Sequence, residues 1–147
     1  MFFYTYEDFK EDVKILAKEI KKDFQPDALV AVARGGMSLG HSLAVALNNR
    51  NLFSLNSIHY EEKQKLDEVK IFNTPNLKSY QKILLIDDIV DSGESLTQIS
   101  KLLKQEFPQI KLKIATIFYK KSASLIPDFK VKEAKEWVNF FWDIDIN

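Results

Sequence analysis

Residues 83–96 read Ile83-Leu84-Leu85-Ile86-Asp87-Asp88-Ile89-Val90-Asp91-Ser92-Gly93-Glu94-Ser95-Leu96, and the fold turns on this stretch. Four apolar residues in a row, two of them β-branched, suit a strand buried on both faces. That strand runs into two adjacent carboxylates, a third three residues on, and then Ser-Gly-Glu-Ser. Leu96, Ile99, Leu102 and Leu103 take up helical spacing at once. A buried strand passing through acids into a small-residue turn and a helix start outlines a binding site. The turn exposes N–H groups, the helix end favours an anion, and the acids can hold hydroxyls or a cation. The plainer alternative makes Asp-Asp a strand end and Ser-Gly-Glu-Ser a helix-starting turn. It leaves three carboxylates at a buried strand end with no use, which is costly.

Working outward, Thr5 is placed to cap a helix with acids in its first turn. Phe9, Val13, Leu16, Ala17, Ile20 and Phe24 recur at helical spacing, which predicts an amphipathic helix to about Lys22, broken by Pro26-Asp27. Ala28 to Ala33 is a continuous apolar run, read as a buried strand, and ends at Arg34-Gly35-Gly36. A helix from Leu39 to about Leu47 and a strand from Leu52 to Ile58 follow. Charges dominate from Tyr60 to Lys70, a solvated loop or hairpin that in this setting can also serve as a lid. A short strand around Val69 to Phe72 comes next. After the opening stretch, the pattern gives a helix over 95–106, a Pro108 stop, a strand from Leu112 to Phe118, and an aromatic tail from Trp137 to Trp142. Strand and helix alternate through the first 118 residues, which predicts an α/β fold with a parallel sheet and helices on both faces. Such sheets bind ligands at the carboxyl ends of their strands. Arg34-Gly35-Gly36, Asp87 to Ser95, and Lys120 all fall there.

Bulk properties narrow the class. A chain of 147 residues with 46% hydrophobic content suits one globular domain with a real core. No segment approaches the roughly 20 apolar residues of a membrane span. The N-terminus lacks the basic and apolar regions of a signal peptide, and the absence of cysteine rules out disulfides and thiolate zinc sites. Together these give the expectation of a cytoplasmic protein. Two histidines, His41 and His59, are too few for a histidine-rich metal site and read as ordinary surface or loop residues. With 21 acidic and 21 basic residues the net charge is zero, unlike a nucleic-acid module, though compatible with a phosphate-rich small ligand.

The 83–96 stretch resembles the phosphoribosyl-pyrophosphate (PRPP) signature of type I phosphoribosyltransferases. The likeness extends to the small bacterial xanthine-guanine enzymes of that family. Leu29-Val30-Ala31-Val32-Ala33-Arg34-Gly35-Gly36 looks like their first strand and pyrophosphate loop. Ala115-Thr116-Ile117-Phe118-Tyr119-Lys120 looks like the strand ending in their purine-contacting lysine. Glu136-Trp137-Val138-Asn139-Phe140-Phe141-Trp142-Asp143 looks like their base-stacking segment. Motifs in matching order span about residues 29–143.

The resemblance implies a single phosphoribosyltransferase domain over 1–147, with a core of about 5–119 and a small purine-binding hood of about 120–147. It implies Mg²⁺-dependent transfer of phosphoribose from PRPP to a 6-oxopurine. Arg34, Gly35 and Gly36 would hold pyrophosphate. Asp91, Ser92, Gly93, Glu94 and Ser95 would cradle the 5-phosphate, with the Glu94 carboxylate turned away. Asp87 and Asp88 would address ribose hydroxyls and the metal shell, Asp88 being the metal-linked acid. Strand alternation suggests that these two carboxylates diverge rather than share a proton. Asp91 aligns with the catalytic acid near purine N7, as general base or electrostatic stabiliser. Trp137 would stack on the base, the Val138 backbone would read its edge, and Lys120 would meet the 6-oxo group. Phe140, Phe141 and Trp142 read as packing residues. Partners would be PRPP, a purine and further copies of the chain in a homodimer or homotetramer, with no nucleic acid and no membrane span.

Two departures from the pattern stand out. Phe141 replaces the relatives' usual proline, and the chain stops soon after Asp143 without their extra segment. A non-catalytic PRPP sensor of the same fold, or a transferase for another base, is the alternative; its mark would be an eroded signature, and none is seen. A receiver domain is excluded because no later apolar strand ends in aspartate. A dinucleotide-binding fold is excluded because no Gly-x-Gly-x-x-Gly occurs.

Overall fold

Thr5 opens the first helix through a reciprocal cap: its hydroxyl accepts from Asp8 N–H at 3.1 Å, and the Asp8 carboxylate accepts from Thr5 N–H at 3.4 Å. The structure, a computed structural model, describes residues 1–60 and 68–147. Helix α1 (Tyr6–Asp23) buries Phe9, Val13, Leu16 and Ile20 along one stripe. It leads to strand β2 (Ala28–Ala33), helix α2 (Met37–Ala46) and strands β3 (Leu52–Tyr60) and β4 (Glu68–Phe72). The lid reading falls chiefly on residues 61–67, outside the described residues.

Strand β5 (Lys82–Ile86) carries the signature and feeds a two-residue strand, β6 (Ile89–Val90), then helix α3 (Glu94–Glu106) and strand β7 (Lys111–Ala115). The five-stranded sheet runs β4-β3-β2-β5-β7, parallel except for the antiparallel edge strand β4. Alternation along the strands splits the core into two layers. Leu29, Leu84 and Ile86 pack with Leu16, Ile20, Leu39 and Leu43 of α1 and α2. Val30, Val32, Ile83 and Leu85 face Leu96, Ile99 and Leu103 of α3. Helices therefore cover both faces, as the sequence predicts. From β2 the chain first builds outward through β3, and later crosses to β5 on the other side. The switch in strand order lies between β2 and β5, where a crevice opens at the carboxyl ends.

One strand expectation is corrected. The predicted strand from Leu112 to Phe118 is not continuous: β7 ends at Ala115, and Phe118–Tyr119 forms a separate strand, β8. The Asp88 carbonyl accepts from both Ile117 and Phe118 N–H at 3.1 Å, and Thr116 N–H turns to Phe129 O at 3.0 Å. These bonds pull the chain out of the large sheet and into a small one, ordered β6-β8-β9, where β9 is Lys132–Glu133. A strand that sequence periodicity does not reveal, β1 (Phe2–Tyr4), pairs in parallel with β10 (Val138–Phe140). Phe140 and Trp142 stack at 4.7 Å, and Tyr4 meets Phe118, Phe140 and Trp142 edge-on. The aromatic tail is largely packing, as expected, although Trp142 also reaches a cavity wall.

Candidate active site

The switch point brings Arg34-Gly35-Gly36 against Asp87-Asp88 with little room to spare. A Cβ on Gly36 would lie 2.4 Å from Ile86 O and 2.9 Å from Val32 O; one on Gly35 would lie 2.5 Å from Asp88 Oδ2. Gly36 N–H donates to Val32 O at 2.8 Å, closing the loop, and the Ala33–Arg34 peptide is cis. Only residues without a side chain let these two strand ends touch. Arg34 stays exposed at the mouth.

Three adjoining cavities follow from this contact. The smallest, about 250 Å³, is lined by Asp87, Asp91, Ser92, Gly93, Ser95 and His59, among others. Gly93 holds φ +90 there, a left-handed geometry suited to glycine, and the Ser92 hydroxyl accepts from Glu94 N–H at 3.2 Å. The turn backs onto the 120–125 loop, where Ser124 N–H donates to Ser92 O at 2.9 Å. Glu94 does not line this cavity; its carboxylate accepts from Gln98 one turn along α3 at 2.9 Å. The result is a small polar cradle at a helix N-terminus.

The middle cavity, about 740 Å³, gathers Asp88, Asp91, Lys120, Trp137 and Val138. Trp137 is 75% exposed, so the indole offers a free face, and the neighbouring Val138 is buried. Lys120 Nζ donates to Asp91 Oδ1 at 2.6 Å, a pairing not foreseen from sequence. The third cavity, about 790 Å³, lies between Arg34, Gly35 and Ser38 on one side and Trp142 to Ile146 on the other. Asp91 belongs to the first two cavities and Asp143 to the last two, so the three form one continuous cleft.

Asp87 and Asp88 meet where β5 ends. They open on different cavities, yet burial and then the adjacent Asp88 charge push Asp87 well above the ordinary carboxyl range. Burial also raises Asp88, and the Asp143 charge adds to the shift. A hydrogen bond between the carboxyls adds to the rise at Asp87 and works against the rise at Asp88. Beyond Ile86 the chain leaves β5, and Asp88 N–H folds back to Asp87 Oδ1 at 2.9 Å, holding the two acids together. Two crowded oxygen donors of this kind suit a hard divalent cation that takes its remaining ligands from water and substrate. Among the described residues there is no group of three or more acids or histidines able to hold a metal alone.

All the residues singled out from sequence line this cleft or its connecting turns, with Glu94 directed away and Gly36 serving as the pivot. His59, Ser38 and Asp143 also line the cleft, although no local motif marks them. His59 sits near the carboxyl end of β3, a position that the strand reading of 52–58 brought within one residue.

A family model for the phosphoribosyl transferase domain matches residues 4–147. A xanthine-guanine phosphoribosyltransferase from Idiomarina loihiensis is 25% identical over 149 residues, spanning 99% of this chain and 89% of the relative. The structure of the Helicobacter pylori xanthine-guanine-hypoxanthine phosphoribosyltransferase superposes with a TM-score of 0.90 at 38% identity, covering 97% of this chain and 94% of that one. A purine phosphoribosyltransferase from Pyrococcus horikoshii shares the fold at a TM-score of 0.84 and 24% identity, with 97% and 94% covered.

Proposed function

The chain belongs to the phosphoribosyl transferase domain family, and from that premise and the geometry of its cleft we propose purine salvage: PRPP and a 6-oxopurine give the nucleoside monophosphate and pyrophosphate. The supporting observation is the middle cavity, where Trp137, Lys120 and Asp91 converge beside Asp88. A flat aromatic face, a cation for an oxo group and a carboxylate for a ring nitrogen suit a 6-oxopurine, whereas adenine would set an amino group against Lys120.

In this reading the 5-phosphate occupies the Asp91–Ser95 cradle, held by Ser92, Gly93 and Ser95 and by the α3 dipole. Arg34 and the Gly35-Gly36 backbone hold the pyrophosphate. Asp87 and Asp88 take the ribose hydroxyls, with Asp88 also presented to Mg²⁺. Bound there, Mg²⁺ would neutralise charge on the leaving pyrophosphate. The C1–O bond to pyrophosphate breaks, the C1–N bond to the base forms, and the ring proton passes to Asp91. Because Lys120 occupies Asp91 Oδ1, the other carboxylate oxygen is left for the base. General-base help of this kind is worth ~10²–10⁴-fold. Trp137 stacks on the purine, and the Val138 backbone reads its edge.

Residues 1–147 form one domain in this proposal, with the 120–147 segment as hood. The protein works in the cytoplasm, in keeping with its lack of cysteine, as a homodimer or homotetramer. No helix among the described residues is long and apolar enough to cross a membrane. The test is pyrophosphate release with PRPP and Mg²⁺ on guanine, xanthine, hypoxanthine and adenine in parallel. Turnover of at least one oxopurine, collapsing in Asp91→Asn, is the expected result. PRPP bound without turnover of any base would assign the protein to a sensing role instead.

A further inference from the structure

Asp12 is only 2% exposed, lies on α1 away from the cleft, and takes no part in the chemistry above. A buried carboxylate is expensive unless fully paired, so its partners carry information. Lys132 Nζ donates to both Asp12 oxygens at 2.7 Å, and the Tyr4 hydroxyl donates to Oδ2 at 2.6 Å. These partners sit on the strands that lead to the base pocket. Lys132 lies opposite Phe118 in the β8–β9 register, and β8 runs directly into Lys120. Tyr4 ends β1, which lies alongside Val138, and Phe2 N–H donates to Trp137 O at 2.8 Å. One buried carboxylate therefore ties down both sides of the pocket.

We infer that Asp12 is a positioning residue for the base site: through Lys132 and Tyr4 it sets the spacing between Lys120 and the Trp137–Val138 segment. It thereby governs affinity for the base without touching it. This rests on the purine reading given above. The pyrophosphate loop follows β2, with which neither β1 nor β9 pairs, and the phosphate cradle follows β6, which β9 reaches only across β8. The direct ties of Asp12 run to the strands flanking the base, so the effect falls on the base ahead of PRPP. A tie serving stability alone would show no such selectivity.

The experiment measures KM for the base and for PRPP, with melting temperature, in Asp12→Asn, Tyr4→Phe, Lys132→Met and Lys132→Arg. Leu103→Ala, in the core on the opposite face of the sheet, is the destabilised control. Asp12→Asn and Lys132→Met are expected to raise KM for the base about tenfold, short of the ~100-fold that a 1 Å misplacement can cost. KM for PRPP should stay unchanged, Lys132→Arg should restore base affinity, and Leu103→Ala should lower the melting temperature without moving either KM. Both KM values rising together, or the base KM unmoved, would overturn the proposal. If Asp12→Asn does not fold, Tyr4→Phe, which keeps the ion pair, decides on the same criterion. A wild-type protein inactive on every purine sinks the purine reading and this proposal with it. That outcome is distinct from an active wild type whose variants show no selectivity.

Discussion

A single methyl group added at Gly35 or at Gly36 should have opposite consequences, because the two glycines face different atoms. At Gly36 the new Cβ would meet two backbone carbonyls, Ile86 O at 2.4 Å and Val32 O at 2.9 Å. Carbon–oxygen contacts settle near ~3.3 Å, so the loop must move by about 1 Å against β5 and against its own closing hydrogen bond. Overpacking of this kind costs about 1–3 kcal/mol. For a domain of this size that corresponds to a melting-temperature loss of about 4–8 °C at the middle of the range. At Gly35 the clash is with a side chain, Asp88 Oδ2 at 2.5 Å, which can swing aside. Gly35→Ala should therefore lose less than about 2 °C. It should raise KM for PRPP and the Mg²⁺ requirement about tenfold, since Asp88 leaves its place beside the pyrophosphate loop. Scanning calorimetry together with PRPP and Mg²⁺ titrations of both variants separates the two effects. Gly36→Ala melting like wild type would refute the reasoning, as would Gly35→Ala with unchanged PRPP and Mg²⁺ dependence.

Three further outcomes follow from the same geometry. Asp87 has a raised pKa, so from the ordinary carboxyl range up to that value the folded protein binds more protons than the unfolded chain. Its contribution is present in acid and is lost as pH rises through the raised value. Asp87→Asn should flatten this decline and raise the melting temperature of the ligand-free protein at neutral pH while turnover falls; an unaltered melting profile across pH would count against it. Trp137→Ala should leave stability within about 0.5 kcal/mol because the side chain is exposed. Base affinity should fall by the ~1–3 kcal/mol typical of base–aromatic stacking, read by calorimetric titration of the base. Lys120→Met breaks a partly exposed ion pair worth about 0–1 kcal/mol, so the melting point should hold while KM for oxopurines rises. Steady-state kinetics beside a thermal melt would show whether the two separate.

Much of this was legible in the sequence where the signal is local. The change from a buried apolar run at 83–86 to helical spacing from Leu96 is written into neighbouring residues, and the phosphate cradle lies between them. The Thr5 cap and the Arg34-Gly35-Gly36 turn are equally local. Features set by distant partners were not legible. Phe2-Phe3-Tyr4 is too short to show a period, and its partner strand lies at the far end of the chain. The stretch 114–118 contains no glycine or proline to announce a break; the Asp88 carbonyl imposes it. Asp12 looks like any acid on an amphipathic helix until Lys132 and Tyr4 are seen to close over it. The raised pKa of Asp87 likewise comes from burial and a close neighbour, which the local pattern does not reveal.

In the proposed reaction this cleft joins phosphoribose to an oxopurine. The most direct test is one reaction containing PRPP, Mg²⁺ and an equimolar mixture of guanine, xanthine, hypoxanthine and adenine, with the nucleotides identified by mass spectrometry. Monophosphates of one or more oxopurines, and none of adenine, are the expected products. Adenosine monophosphate as the main product, or no nucleotide at all, would contradict the proposal.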